Sequence, residues 1–204
     1  MIDHYEIQCR QWADKIANLS MDQLRKKLPE LHLTANIASL RHFDREIVID
    51  RITGELSCIS DSEPLSLNER LNVYTLLWYC KDNASLSGTW LPFHSMKHAS
   101  PYAPAFQKTV LRSFSEIFDG KELILKDAVA KIGGTPLGEH HYFIPAFACM
   151  PLLLQFWDGD DEFPAQGNIL FDKNATDFIH VESLVTIASQ CIRRLQIAAG
   201  FSNS

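Results

Sequence analysis

The sequence predicts an α+β fold in which a mainly antiparallel sheet is packed with helices. Apolar residues change along the chain from helical spacing to strand-like alternation, and this change occurs twice. The chain has 204 residues, of which 46% are hydrophobic and 22% charged, so it is long enough to bury a core. Because no repeat or shift in composition marks a boundary, we expect one domain over residues 1–204.

Helical spacing and capping patterns locate the helices. Residues 3–18 have an apolar face that includes Trp12 and Ile16, which predicts an amphipathic helix. Ser20 starts a capping-box pattern for a short helix, and Ser66 with Glu69 starts another before "LNERLNVYTLLWYC". Three further helices are predicted over residues 104–118, 122–132 and 180–198.

Strands are predicted in two regions separated by helices. Residues 36–59 alternate apolar with polar positions around a Thr53-Gly54 turn, which favours two or three antiparallel strands. The second region contains "HYFIPAFACMPLLLQFW" and "GNILFD", joined by residues 158–167. Between the regions, residues 81–103 are mostly irregular, although "GTWLPF" indicates a short strand. We expect both regions to form one antiparallel sheet.

Charge and cysteine usage limit the classes of partner. The formal net charge is −6, and residues 158–182 alone hold seven acidic residues against one lysine. Without a basic stripe, nucleic acid and anionic membranes are poor partners. The N-terminus has no signal-peptide pattern and no apolar run is long enough for a bilayer helix, so we expect a cytoplasmic protein. Five scattered cysteines favour core packing over disulfides or a metal site.

The segment "FWDGDDEFPAQGNILFD", residues 156–172, is the main candidate site. Its closely spaced acids are the oxygen ligands that hard cations prefer, although the spacing does not match a calcium-binding EF-hand. Asp161 or Glu162 facing Asp172 across a hairpin would form a carboxylate pair. The alternative is that the acids keep a loop hydrated and cap local backbone donors. The sequence leaves both interpretations open.

We therefore expect a binding protein with a pocket beside this acidic hairpin. Trp157 and Phe163 would form the wall, and Pro164 would fix the backbone after the aromatic ring. The sign of the charge favours a cationic or metal-bearing small molecule. The expected ligand-binding residues are Trp157, Asp158, Asp160, Asp161, Glu162, Phe163 and Asp172. No catalytic residue, cofactor, metal or oligomeric state is assigned.

Two other functions remain open. One is a metal-assisted hydrolase or transferase that uses the loop carboxylates and one of three histidines, His140, His141 and His180. The other is a protein-interaction module without a pocket. His94 and His98 lie four residues apart, but the residues between them do not match a zinc-binding helix.

Two residue types are interpreted as non-catalytic. Cys149 lies in an apolar segment that would raise its thiol pKa, so no nucleophile is assigned. We interpret Arg193 and Arg194 as solvated charges near the end of the last helix.

The run "MPLLLQFWDGDDEFPAQGNILFDKNATDFIHVESL" resembles the C-terminal signature of an uncharacterised family, a domain of unknown function found mainly in anaerobic bacteria and archaea. The shared features are Trp157, the acids with Glu162-Phe163-Pro164, "ILFD", and Glu182 in the final helix. "KIGG" and "LWYC" also fit. The resemblance implies no established reaction. Some relatives carry a cysteine-rich segment similar to an iron–sulfur domain, which this sequence lacks, so no redox role is carried over.

Overall fold

Two antiparallel sheets, of four and five strands, form the framework of the protein, and helices pack on both. The computed structural model describes residues 4–59 and 63–201. The predicted α+β class is confirmed, whereas the expectation of one continuous sheet is wrong. Position 3 of the first predicted helix and both ends of the predicted domain lie outside the described residues.

The first sheet is a meander in the order β1-β2-β3-β4. Ser20 caps the second helix as predicted, because its side chain accepts a hydrogen bond from the N–H of Gln23. The elements of this part are α1 (His4–Ala17), α2 (Met21–Lys27), β1 (His32–Leu33), β2 (Ile37–His42), β3 (Arg45–Asp50) and β4 (Leu56–Cys58).

The second sheet has the order β5-β9-β8-β7-β6, and the predicted capping box at Ser66 and Glu69 opens the helix before it. A 3₁₀ turn at Phe93–Ser95 and a π turn at Gln107–Leu111 interrupt the regular elements. These elements are α3 (Leu67–Tyr79), β5 (Trp90–Pro92), α4 (Ala103–Phe106), α5 (Arg112–Phe118), α6 (Glu122–Lys131), β6 (Thr135–Pro136), β7 (His141–Phe147), β8 (Met150–Trp157), β9 (Gln166–Asp172), α7 (Ala175–Phe178) and α8 (Val181–Ala198).

The helices follow the sequence prediction to within a residue or two at most ends. The predicted helix over residues 104–118 differs, because the π turn at Gln107–Leu111 divides it into α4 and α5. Within the described part of the chain, no helix combines the length and the apolar character that crossing a bilayer requires.

The β8–β9 hairpin is held tightly against α5. Its register runs from Leu152 opposite Phe171 to Trp157 opposite Gln166. Gly167 lies directly under α5, because a Cβ atom there would lie 2.4 Å from Cδ1 of Phe114. Glycine is therefore required at this position for the strand and the helix to approach so closely.

The two sheets meet at an irregularity in β7. The register of β7 with β8 shifts between Ile144 and Phe147, around Pro145, which has no N–H for the ladder. The carbonyl of Ala146 accepts a hydrogen bond from the N–H of Phe43, at 2.9 Å, in the turn after β2. The end of β2 and the turn after it thus contact the irregular part of β7, and the two sheets do not continue into one another.

His42 lies in the same contact and is fully buried. Its Nδ1 lies 2.9 Å from the oxygen of Ala146, and its Nε2 lies 3.3 Å from Nδ2 of Asn72. Asn72 in turn accepts a hydrogen bond from the hydroxyl of Thr186 in α8, at 2.5 Å. Burial lowers the pKa of His42 from 6.5 to about 4, although the carbonyl of Ala146 opposes the shift. The imidazole is therefore neutral at pH 7.

Two ion pairs join the helices to the first sheet. Arg45 in β3 donates to Glu69 of α3 at 2.8 Å, and both side chains are buried. Arg194 of α8 donates through Nε and Nη2 to the two carboxylate oxygens of Asp44, at 2.9 and 2.5 Å. The interpretation of Arg194 as a solvated charge is wrong, because α8 packs this residue inward to 5% exposure. Arg193 is half-buried and pairs with Glu63.

The buried His42 predicts a pH dependence of stability. A histidine whose folded pKa is depressed stabilises the protein fully above its unfolded pKa of 6.5, and this contribution is lost as the pH falls toward about 4. The difference corresponds to about 3 kcal/mol of unfolding free energy. Urea unfolding between pH 7 and pH 5 measures about 2 kcal/mol of this difference, and the His42→Gln variant should lose most of the slope in this range. An equal slope in both proteins would contradict a buried neutral His42.

Candidate functional site

The acidic loop, residues 158–165, joins β8 to β9 and contains most of the predicted site. Asp160 closes a turn within it. Its Oδ1 accepts hydrogen bonds from the N–H groups of Glu162, at 2.9 Å, and Phe163, at 2.7 Å. These two bonds hold the pKa of the Asp160 carboxyl below its ordinary value. Asp160 thus caps backbone donors, as the alternative interpretation of the acids predicts.

Asp158 fixes the loop to the start of α6. Its Oδ1 accepts a hydrogen bond from the N–H of Gly120 at 2.6 Å, and its Oδ2 accepts one from Glu122 at 3.3 Å. Gly159 packs closely here, because a Cβ atom at this position would lie 2.5 Å from Oδ1 of Asp119. The carboxylate satisfies N–H groups at the start of a helix and faces the positive end of its dipole. Asp158 therefore has a structural role.

Asp172 lies at the opposite end of β9 from the acidic loop. Six residue steps along the strand separate it from Gln166, a distance of about 20 Å. A carboxylate pair between Asp172 and Asp161 or Glu162 is therefore incompatible with the hairpin. This corrects the pairing that the sequence left open.

The Asp172 carboxylate is engaged by the backbone of a neighbouring loop. It accepts hydrogen bonds from the N–H and hydroxyl of Ser87, both at 3.0 Å, from the N–H of Gly88 at 2.7 Å and from the N–H of Asn174 at 2.8 Å. Burial alone would raise the pKa of this carboxyl, but the hydrogen bonds outweigh burial and lower the pKa. Asp172 thereby fastens residues 87–88 to the end of β9.

The remaining predicted residues lie on the surface and do not converge. Asp161 and Glu162 are exposed, and the ring of Phe163 is 62% exposed, so it does not pack into the core. Trp157 is 40% exposed, and its ring centroid lies 6.0 Å from that of His140 and 6.5 Å from that of His141. These side chains are therefore spread over the surface of the loop and the end of β8.

The histidines and cysteines of the described residues form no metal centre. Within residues 4–59 and 63–201, no group of three or more His, Cys, Asp or Glu side chains is positioned to hold a metal ion. His141 contacts Gln155, with 3.0 Å between the two Nε2 atoms, and His180 caps α8. Cys149 lies in the turn between β7 and β8, where burial raises its thiol pKa.

A concave site lies beside the C-terminal end of the acidic loop, at residues 164–165, and the start of β9. This hairpin cleft has a volume of about 660 Å³ and separates the helical segment α4–α5 from residues 164–167. None of the seven predicted residues, all of which the structure describes, lines it. The cleft is bordered by Pro104, Gln107, Lys108, Leu111, Arg112, Ser115, Glu116, Pro164, Ala165, Gln166 and Gly167.

The π turn shapes the helical wall of the hairpin cleft. The N–H of Arg112 donates to the carbonyl of Gln107, five residues earlier, so this turn contains one more residue than a regular α-helical turn. π turns occur frequently at functional sites. The apolar spacing of residues 104–118 gave no sign of the π turn, because its core side chains, such as Val110, remain buried.

The charges in the hairpin cleft are mainly positive. Lys108 and Arg112 line it together with a single acid, Glu116, which accepts a hydrogen bond from Nε of Arg112 at 2.7 Å. These residues are exposed on successive helical turns, so the sequence alone gives them the pattern of a solvated helix face. The packing of β9 under α5 converts this face into a wall.

Comparison with known sequences gives a family but no activity. Residues 29–194 match the family described as a domain of unknown function, DUF3786. The chain belongs to this family. The match extends from before β1 into α8, so the acidic loop and the hairpin cleft are both parts of the family domain. Neither a curated protein nor a solved structure matches the chain.

The structural role of Asp158 predicts a selective effect of loop substitutions. Asp158→Ala leaves N–H groups at the start of α6 without their acceptor and should lower the unfolding free energy by about 1–2 kcal/mol. Asp161→Ala, which removes an exposed carboxylate from the same loop, should change it by less than about 0.5 kcal/mol. Urea unfolding at pH 7 compares the two variants with the wild type. Equal losses in both variants would show that Asp158 does not cap α6.

Proposed function

We propose that the protein is a binding protein for an amphipathic organic anion, which lies in the hairpin cleft. The observation that supports this proposal is the cleft itself, because it combines an apolar wall with two basic side chains. Its volume of about 660 Å³ is typical of sites for small organic molecules, which occupy roughly 300–1,000 Å³. The proposal retains the predicted class of binding protein and changes the expected charge of the ligand.

The apolar part of the ligand would contact both sides of the hairpin cleft. Leu111 and Pro104 come from the helical wall, and Pro164 and Ala165 come from the C-terminal end of the acidic loop. Pro164 restricts the backbone at the end of the loop, and Gly167 allows the start of β9 to lie close to α5. The two walls are therefore held at a fixed distance before a ligand arrives, which reduces the entropic cost of binding.

The charged part of the ligand would contact Lys108 and Arg112. Within the described residues, Lys108 makes no ion pair, and Arg112 uses only Nε in its contact with Glu116. The Nη1 and Nη2 groups of Arg112 are thus available to an external acceptor. A guanidinium presents paired donors that match the oxygens of a carboxylate or phosphate. Gln107, Ser115 and Gln166 add polar groups at the border.

A cationic or metal-bearing ligand on the loop carboxylates is less well supported. Asp158 and Asp160 accept hydrogen bonds from the backbone, and Asp172 lies at the far end of β9. Asp161 and Glu162 are exposed carboxylates without a facing wall. A module that binds proteins without any pocket is also less favoured, because the hairpin cleft is present.

We also propose that the protein acts in the cytoplasm. All five cysteines are free thiols, and three of them, Cys9, Cys80 and Cys191, are buried. Free thiols persist in a reducing compartment, whereas secreted domains usually form disulfides.

A fluorescent probe of matching chemistry tests the hairpin cleft. The dye 1-anilinonaphthalene-8-sulfonate has an apolar body and one sulfonate, and its emission rises on transfer to an apolar site. Wild-type protein should bind it saturably, and the Lys108→Gln/Arg112→Gln variant should bind about tenfold more weakly, which corresponds to ~1.4 kcal/mol. Near-UV circular dichroism checks that each protein is native before the titration.

The matched control is Arg25→Gln/Lys26→Gln in α2, which removes the same charge from an exposed helix face. It should bind the dye as the wild type does. Equal weakening in both double variants would show that net charge alone attracts the dye and would contradict the hairpin cleft. A rise in Tm with Mn²⁺ that Asp160→Asn/Glu162→Gln abolishes would instead support a metal on the acidic loop.

A further inference from the structure

A second concave site lies where the end of α3, the loop before α4 and the start of α8 meet. We call it the His98 pocket; its volume is about 310 Å³. The polar side chains that line it come from three separate parts of the chain: Tyr79, Lys81, Lys97, His98, Thr176 and His180. Within the described residues no carboxylate lines this pocket, although the protein as a whole carries a net charge of −6.

Lys97 and His98 have no partner within the part of the chain that the structure describes. Neither side chain makes a hydrogen bond or an ion pair there, although both line the pocket. His98 has a φ of 64°, in the left-handed region that non-glycine residues seldom adopt. This backbone conformation sets the direction of the Cα–Cβ bond of His98.

The contacts of His180 determine which of its nitrogens is a donor. Its Nδ1 accepts a hydrogen bond from the N–H of Glu182, at 3.3 Å, so in the neutral ring the proton is on Nε2. The ring of Tyr79 packs against this imidazole, with 5.7 Å between the centroids. The neutral ring of His180, which lines the His98 pocket, thus keeps a donor N–H at Nε2.

Lys81 also lines the pocket, but its charge is already paired with Asp177. Its Nζ lies 2.5 Å from Oδ1 of Asp177, and both side chains are partly exposed. Asp177 offsets the charge of Lys81, so the uncompensated positive charge of the pocket comes from Lys97.

We propose that the His98 pocket binds the phosphoryl group of a small anion. Lys97, His98, His180 and the hydroxyl of Thr176 offer more donors than the two oxygens of a carboxylate engage. A phosphoryl group presents three acceptor oxygens and a charge of about −1.5 to −2 at pH 7. This site is separate from the hairpin cleft, because the two share no lining residue.

An NMR titration with inorganic phosphate, at pH 7 and constant ionic strength, tests the proposal. Phosphate should shift the backbone amides of Lys97, His98 and Val181 saturably, and acetate at equal ionic strength should bind at least tenfold more weakly. In the Lys97→Gln/His98→Asn variant the affinity for phosphate should fall at least tenfold. Asparagine tolerates positive φ, so this substitution keeps the local backbone conformation.

Three further variants make the outcome decisive. His180→Ser keeps a capping residue for α8 but removes the imidazole donor, so it should weaken phosphate binding even if the double variant is poorly folded. Lys126→Gln in α6 and Lys108→Gln/Arg112→Gln in the hairpin cleft should bind phosphate as the wild type does. Unsaturable shifts, equal affinity for acetate, or unchanged affinity in both pocket variants would overturn the proposal.

Discussion

The carbonyl oxygen of Ala146 is the point on which the arrangement of the two sheets depends. It accepts hydrogen bonds from Phe43 and His42 of the first sheet, at a bulge that Pro145 creates in the second. The neutral His42 then contacts Asn72, which in turn accepts a hydrogen bond from Thr186 of α8. One chain of buried polar contacts thus joins both sheets, α3 and α8. Because an unpaired buried polar group is costly, each contact restricts the position of the others.

Both candidate sites depend on this framework. The second sheet holds β9 against α5, where Gly167 allows the close approach that forms one wall of the hairpin cleft. The His98 pocket lies at the start of α8, whose position is set by Thr186 in the core and by the ion pair between Arg194 and Asp44. The hairpin cleft lies between a helical segment and a strand, whereas in the His98 pocket Lys97 and His98 lie in the loop before α4 and line the pocket together with the start of α8.

The sequence predicted the fold class and most helices because local signals specify them. Ser66 and Glu69 form the expected capping box, and the apolar runs form β7, β8 and β9. The way the two sheets meet involves a contact between residues about 100 positions apart, which periodicity does not encode. The same limit explains why the burial of Arg194 was not predicted, because its partner Asp44 lies 150 residues away in the chain. Lys108 and Arg112 resemble a solvated helix face in sequence, and only the packing of β9 makes them part of a cleft.

The acidic loop shows why a cluster of acids in sequence is not yet a negative site in space. Asp158 faces the positive end of α6 and Asp160 accepts two backbone hydrogen bonds, so their charges are offset within the protein. Asp161 and Glu162 project into water, where physiological salt screens their field beyond about 8 Å. A ligand in a cavity responds instead to the groups that line it at hydrogen-bonding distance. The negative charge that we propose for the ligand therefore follows from Lys108 and Arg112 in the hairpin cleft, although the largest cluster of acids in the sequence lies next to it.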